Sequence, residues 1–426
     1  MEIVKYPKRE QWNELAKRPS LDVTSLFDTV RTVINDIKSR GDAAVCQYEE
    51  RFDHVTMSAL EVTAEEIEEA KMLVSPELQI AILNAKKNIS AFHSAQHFDG
   101  IKVETTPGVT CWQKSVPIEK VGLYIPGGTA PLFSTVLMLA VPAVIAGCQE
   151  IVLCTPPGRD GKVHPAVLFA ASVAGVNRIF RIGGIQAIAA MAFGTETVPK
   201  VYKLFGPGNQ YVTAAKQLVS LKDVAIDMPA GPSEVEVIAD AAANPDFIAA
   251  DFLSQAEHGV DSQAMLVTDS ETIIAPVKDA IELQFQQLSR REITEKSLSH
   301  SRIILLHDEN EIVDFTNLYA PEHLIIQRAN PHSIADRIVC AGSLFLGAWT
   351  PESAGDYASG TNHTLPTNGY AHAYSGVNLD SFCRKMTYQE ITPDGIRNLS
   401  DTICTMASAE SLDAHKNAVT VRMNIL

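Results

Sequence analysis

The sequence predicts an α/β protein with two incomplete Rossmann-like parallel sheets and small helical extensions at the N- and C-terminal ends. Three observations carry this. From residue 120 onward, short apolar runs alternate with helical stretches, which is the mark of a parallel sheet. The alternation resumes at VEVIAD (235–240) and continues long enough for a second α/β unit. The chain has 426 residues, enough for two or three domains with a core each.

In chain order, roughly the first 100 residues read as helical on periodicity. VTSLFDTVRTVINDIKSRG closes on Gly41, and AEEIEEAKMLV follows. KVGLYIPGG (120–128) is a strand with a Gly-rich turn, and STVLMLAVPAVIAG a helix stopped by Gly147. EIVLCTPP (150–157), RIFRIGG (178–184) and VYKLFGPGN (201–209) are strands. AVLFAASVAGV, IQAIAAMAFG and QYVTAAKQLVS are the helices that follow them. The second unit reads VEVIAD, helix DFIAADFLSQAEHG, strand QAMLVT, a helix near 272–289, strand RIILL and helix EIVDFTNLYA. About the last 50 residues turn helical again and look too short to bury a core of their own.

Composition narrows the function classes. Apolar residues make up 46% and charged residues 20%, a globular balance. The formal net charge of −16 repels nucleic acid and anionic membrane. The most apolar run, VLMLAVPAVIAG (136–147), carries Pro142 and is far shorter than the ~20 residues a bilayer requires. MEIVKYPKREQW has no apolar h-region, so no signal peptide is expected. Seven Cys without CxxC spacing point to reduced thiols and a cytoplasmic location.

The chemistry sits in a few motifs. Ligands of open α/β sheets bind at the carboxyl ends of strands, where Gly-rich loops let backbone come close. YIPGGTAP (124–131), GGIQA (183–187) and FGPGN (205–209) qualify. None fits GxGxxG, and each singly also fits a tight turn. Three in one sheet favour a ligand cleft. LSQAEHG (253–259) sets Gln255 and His258 at i, i+3, where an amide oxygen and an imidazole can share a cation. A plain helix end explains the same residues. YAPEHLII (319–326) puts Glu322 beside His323 at a strand's mouth, two titratable groups suited to acid/base work. In a regular strand the two point to opposite faces, so they converge only in irregular backbone. SAGDYASGTNHTLPT (353–367) reads as a long polar loop holding Asp356 and His363. Glu410 and His415 are too far apart around one helix to act as a unit. His93 and His97 have a metal-compatible i, i+4 spacing, but an exposed helix face accounts for them better. Cys148 and Cys154 flank a buried strand and read as inert small hydrophobes, not nucleophiles.

VGLYIPGGTAPLFSTVLMLAVPA, FGPGNQYVTAAK, DMPAGPSEV, LSQAEHGVDSQ, YAPEHLII and FLGAWTPESAGDYASGTNHTLPT together resemble the histidinol dehydrogenase family, over nearly the whole chain. The resemblance implies a Zn²⁺ held by Gln255, His258, Asp356 and His415. It implies NAD contacts at Tyr124, Gln186 and Asn209, and substrate contacts at Ser233, His323 and Glu410 beside the metal ligands. It further implies oxidation of L-histidinol through the aldehyde to L-histidine, with His323 as base and Glu322 activating water. A homodimer with shared sites is implied as well, each C-terminal tail crossing to the partner. The expected division is then a 1–19 helical extension and a discontinuous unit (20–123 with 234–376) carrying most metal and catalytic residues. An NAD-binding unit (124–233) and an exchanged tail (377–426) complete it. On the ligands taken without the Gly-rich strand ends, a zinc hydrolase is the rival reading. A binding protein built from two α/β lobes is a further one.

Overall fold

A computed structural model describes residues 1–19, 23–127, 131–229 and 231–426. Gly128–Ala130 of the first Gly-rich strand end, Ala230 of DMPAGPSEV and the expected boundary at residue 20 lie outside the described residues.

In chain order the strands are β1 (Glu2–Lys5), β2 (Val103–Thr106), β3 (Val109–Pro117), β4 (Lys120–Tyr124), β5 (Glu150–Thr155), β6 (Arg178–Arg181) and β7 (Lys203–Phe205). They continue with β8 (Ala225–Ile226), β9 (Glu234–Ala239), β10 (Gln263–Thr268), β11 (Arg302–Leu305), β12 (His323–Gln327), β13 (Ser343–Leu346) and β14 (Cys383–Ile391). The two parallel sheets share one topology. The first runs β6-β5-β4-β7-β8, and the second runs β11-β10-β9-β12-β13 with β1 added at its β11 edge. Counted from the first strand of each unit, both follow the 3-2-1-4-5 Rossmann order. Strand order reverses beside β4 in one sheet and beside β9 in the other.

The central strands of both sheets are buried along nearly their whole length. β9 and β10 are buried at every position, and β5 at all but its first residue. Burial on both faces is what a parallel sheet covered by helices requires. Helix Phe133–Ala146 is apolar all round, so it sits inside the core, between helices Pro76–Ser94 and Pro165–Ala174. Gly147 ends it in the left-handed conformation, its N–H bonded back to the last turn.

The architecture departs from expectation in places. The N-terminal segment is not purely helical, because Glu2–Lys5 pairs with β11 in parallel register. A third, antiparallel sheet of order β14-β3-β2 was not anticipated, and β14 gives the tail a nine-residue strand paired along the length of β3. Its alternation is weak: the strand's burial pattern is largely exposed, so hydrophobic patterning does not mark it. Helices between Phe27 and Ser94 pack on the five-stranded sheet. Val30 and Ile37 lie in one core with Tyr124, and Ile82 and Ile89 in another with Leu123. The 123/124 boundary therefore falls inside β4, and the 20–123 helices belong by packing with the sheet of 124–233.

Candidate active site

Two clefts open at the carboxyl edge of the five-stranded sheet, and the second also meets the amino edge of the six-stranded one. The first, about 1050 Å³, is lined by Tyr124, Gln186 and Asn209. The second, about 950 Å³, is lined by Ser233, Gln255, His258, Glu322, His323 and Asp356. Pro126 and Asn209 line both, so the clefts adjoin.

The sequence order puts the first cleft at the switch point between β4 and β7. Tyr124 ends β4, and its hydroxyl accepts a hydrogen bond from the Gly184 N–H at 3.1 Å. Burial pushes the phenol well above its ordinary value. Asn209 caps helix Gln210–Ser220, its Oδ1 accepting from the N–H groups of Tyr211 and Val212, which leaves its amide NH₂ for a ligand. The FGPGN loop crosses the end of β4 so closely that a Cβ on Gly206 (φ +122°) would lie 2.0 Å from the Tyr124 carbonyl oxygen. Only glycine fits there. Lys216 ties this loop down, donating to the Gly206 carbonyl at 2.7 Å and pairing with Asp227 at 2.5 Å.

In the second cleft the dyad forms at the amino end of β12. Helix Glu309–Tyr319 stops at Ala320 in the left-handed conformation (φ +51°). Pro321 follows, and β12 begins only at His323, so Glu322 lies outside the regular strand. The sequence condition for convergence is met: Glu322 Oε2 lies 3.5 Å from His323 Nδ1. The start of β9 orients both. The Glu234 N–H donates to Glu322 Oε2 at 2.9 Å, and the Glu234 carbonyl oxygen lies 3.2 Å from His323 Nδ1. A carbonyl only accepts, so Nδ1 carries a hydrogen and Nε2 is left as the proton-accepting atom. His323 Nε2 is buried without a protein hydrogen-bond partner. It lies 3.8 Å from Asp356 Oδ1. Burial disfavours the imidazolium, but Glu322, Glu352 and Asp356 outweigh it and push His323 up to about 10. Those carboxylates favour the imidazolium, and a cation bound among them would oppose this and leave Nε2 free to accept a proton.

Arg18, from the N-terminal segment, fixes this arrangement from below. Its guanidinium bonds the Glu234 carboxylate through Nε at 2.9 Å and through a terminal nitrogen, which also donates to the Tyr319 carbonyl. It stacks 3.9 Å over the Tyr319 ring.

Three of the four side chains expected to hold a cation, Gln255, His258 and Asp356, gather in the cleft of the dyad. Helix Pro245–Ala256 ends earlier than the sequence suggests. Gln255 stands in its last turn, and a short turn, His258 N–H to Gln255 O at 3.2 Å, carries His258 round behind it. Asp356 is not on a loop, as expected, but on the short helix Glu352–Tyr357. That helix brings in a residue the sequence reading missed. Donor atoms of His258, Glu352 and Asp356 all lie within 4.8 Å of one another. Glu352 is buried, and burial, with His323 opposing, pushes its carboxyl up to about 8. The orientation that satisfies the Gln255 amide turns its Nε2 to the Glu352 carboxylate. The i, i+4 spacing of Glu352 and Asp356 was the available signal, hidden by taking 353–367 as loop.

Glu410 and His415 stand apart from both clefts. They are exposed, Glu410 at the end of helix Pro393–Ala409 and His415 on helix Asp413–Met423, with Ser411 (φ +57°) turning the chain between. His93 is buried, not on an exposed face as expected, and bonds Gln96 at 3.1 Å, while His97 lies beyond the helix end. Burial pushes the Cys154 thiol up, and that of Cys148 to about 12, which suits neither for a thiolate role.

The histidinol dehydrogenase family model matches residues 16–423. The chain belongs to the histidinol dehydrogenase family. It is 68% identical over 426 residues to the histidinol dehydrogenase of Bacteroides thetaiotaomicron, covering 100% of both chains. It is 52% identical over 420 residues to that of Escherichia coli K12, covering 98% of this chain and 96% of the relative. The crystal structure of histidinol dehydrogenase from Elizabethkingia anophelis superposes with a TM-score of 0.98 at 52% identity, over 100% of this chain and 98% of that one. The α/β architecture is that of the family, and the chain is an oxidoreductase of histidine biosynthesis.

Proposed function

We propose that the two adjoining clefts oxidise L-histidinol through L-histidinal to L-histidine, with NAD in the first cleft and one zinc ion in the second. The observation that carries this is the common border at Pro126 and Asn209, which opens the cleft of Tyr124 and Gln186 onto the Glu322–His323 dyad. A zinc hydrolase has no use for the first cleft.

The residues fit both groups. An imidazole and two carboxylates within reach of one point suit Zn²⁺ and its mixed N/O shell, and the Gln255 amide beside Glu352 would join them with its oxygen turned to the ion. The Gln186 carbonyl oxygen is buried without a protein partner and suits a donor on a bound ligand. Zinc, when bound by Gln255, His258, Asp356 and His415, orients the substrate, and NAD supplies the hydride acceptor.

The chain's own residues do the proton work. His323 Nε2 takes the alcohol proton in the first oxidation. Glu322 then holds a water against the aldehyde and accepts its proton. His323 serves again in the second oxidation. Ser233, which lines the second cleft, contacts the substrate. Glu410 and His415 complete the site in trans, from the exchanged tail of a second copy. Their exposed positions, outside the clefts of their own chain, support this. The cytoplasm is the expected location, supported by free cysteines at all seven positions. Among the described residues no helix is long and apolar enough to cross a membrane.

Incubation with L-histidinol and NAD, followed by the absorbance of NADH, tests the reading. NADH should form. A zinc-dependent hydrolase forms none.

A further inference from the structure

Gln186 enters the first cleft with both amide hydrogens engaged. Nε2 donates to Glu49 Oε1 at 2.9 Å and to Asp53 Oδ2 at 3.1 Å. A flip would turn its oxygen onto two carboxylates, so the amide has one orientation. Its Oε1 is buried and has no protein partner. A Cβ on Gly184 would come within 3.1 Å of that oxygen, so the chain keeps the space in front of it clear.

Glu49 is fully buried, and its Oε1 also accepts from the Gly183 N–H at 2.9 Å. The titratable groups facing the pair are Tyr124 from β4, Cys154 from β5, Cys46 from the preceding helix and His54 beside Asp53. Among the described residues no lysine or arginine forms an ion pair with either carboxylate. Burial, and then Asp53, push Glu49 up to about 7, and burial raises Asp53 as well. The two acids titrate as a unit.

We propose that Glu49 and Asp53 are positioning residues for the cofactor: they share one proton and together aim the Gln186 carbonyl at a hydrogen-bond donor of the dinucleotide. This rests on the reading of the first cleft as the NAD cleft.

One consequence separates positioning from a merely structural role. The singly protonated pair carries one negative charge and the ionised pair two. NAD is an anionic diphosphate, so its affinity falls as pH rises through about 7, the value to which Glu49 is pushed. Glu49→Gln copies the protonated form. Its carbonyl can accept from Gly183 and Gln186 while its NH₂ donates to Asp53. Asp53→Asn removes the second charge in the same way.

Calorimetric titration of the zinc-loaded enzyme with NAD, at pH 6 and pH 8 without substrate, tests this. In the wild type Kd should rise about fivefold between the two, the effect over this range of a one-unit rise on binding from a pKa of about 7. Glu49→Gln and Asp53→Asn should stay flat, near the wild-type value at pH 6. Asp53→Ala should weaken NAD at both pH values with zinc content unchanged. A Glu49→Gln variant that keeps the wild-type slope overturns the proposal, as does an Asp53→Ala variant that binds NAD normally. Gln186→Leu tells the two failures apart. If it too leaves NAD binding unchanged, the cleft assignment is wrong; if it weakens NAD where the acid variants do not, the positioning is wrong.

Discussion

The carbonyl oxygen of Glu234 lies 3.2 Å from Nδ1 of His323, and this sets which ring nitrogen is free to work. The same residue's carboxylate is held by Arg18, whose side chain is 11% exposed against 1% for Glu234. An uncompensated buried charge would follow from losing the guanidinium. Arg18→Met should therefore destabilise the fold by about 3–5 kcal/mol. Slippage of the β9 start should cost turnover on the order of 10²-fold while leaving KM for NAD unchanged. Thermal unfolding and steady-state kinetics check this. Equal rises in both KM values with kcat intact would mean that Arg18 does not act through the dyad.

Glu322 and His323 divide the proton transfers, so their variants should differ. Glu322→Gln should slow histidinal oxidation by roughly 10²–10⁴-fold, the usual worth of a general base, and histidinol oxidation much less. His323→Asn should damage both. Kinetics with each substrate decide it: equal impairment of both by Glu322→Gln refutes the division.

Glu352 lies within reach of the same point as His258 and Asp356, and its carboxylate faces the Gln255 amide. Glu352→Ala should lower zinc affinity by about 10–100-fold, the range for groups that orient metal ligands. Competition with a chelator measures it. In the wild type, chelation should abolish turnover yet leave NAD binding largely intact, since Tyr124 and Gln186 line only the other cleft. Loss of both together would make the metal structural.

Much of this was legible in the chain. The strand–helix alternation of 120–220 and 235–326 appears in both sheets, because fully buried strands and apolar helices leave unbroken hydrophobic runs. The three Gly-rich strand ends do line one cleft. What failed was non-local. β14 is half-exposed and is made a strand by β3, about 270 residues earlier in sequence, which no local pattern reports. Glu352 went unread because the six-residue helix it begins was read as loop from 353 onward. Arg18 and Glu49 gave no signal, since only tertiary packing brings them under Glu234 and Gln186.

His415 and Glu410 lie outside the clefts of their own chain, so sites shared across a dimer predict complementation. His258→Ala and His415→Ala dimers should each be inactive. Unfolded, mixed equally and reassembled, they should recover roughly one quarter of the activity of a wild-type control. Random pairing makes half the dimers mixed, with one intact site in each. A mixture as inactive as its parents, beside a control that recovers, places the whole site in one chain.

In the proposed reaction one dyad serves two successive oxidations beside one cofactor cleft. The stoichiometry of NADH formed per L-histidinol consumed, with NAD in excess and L-histidinol limiting, tests it most directly. Two NADH per L-histidinol, with L-histidine as the product, is the predicted result. One NADH per L-histidinol, with the aldehyde accumulating, would contradict it.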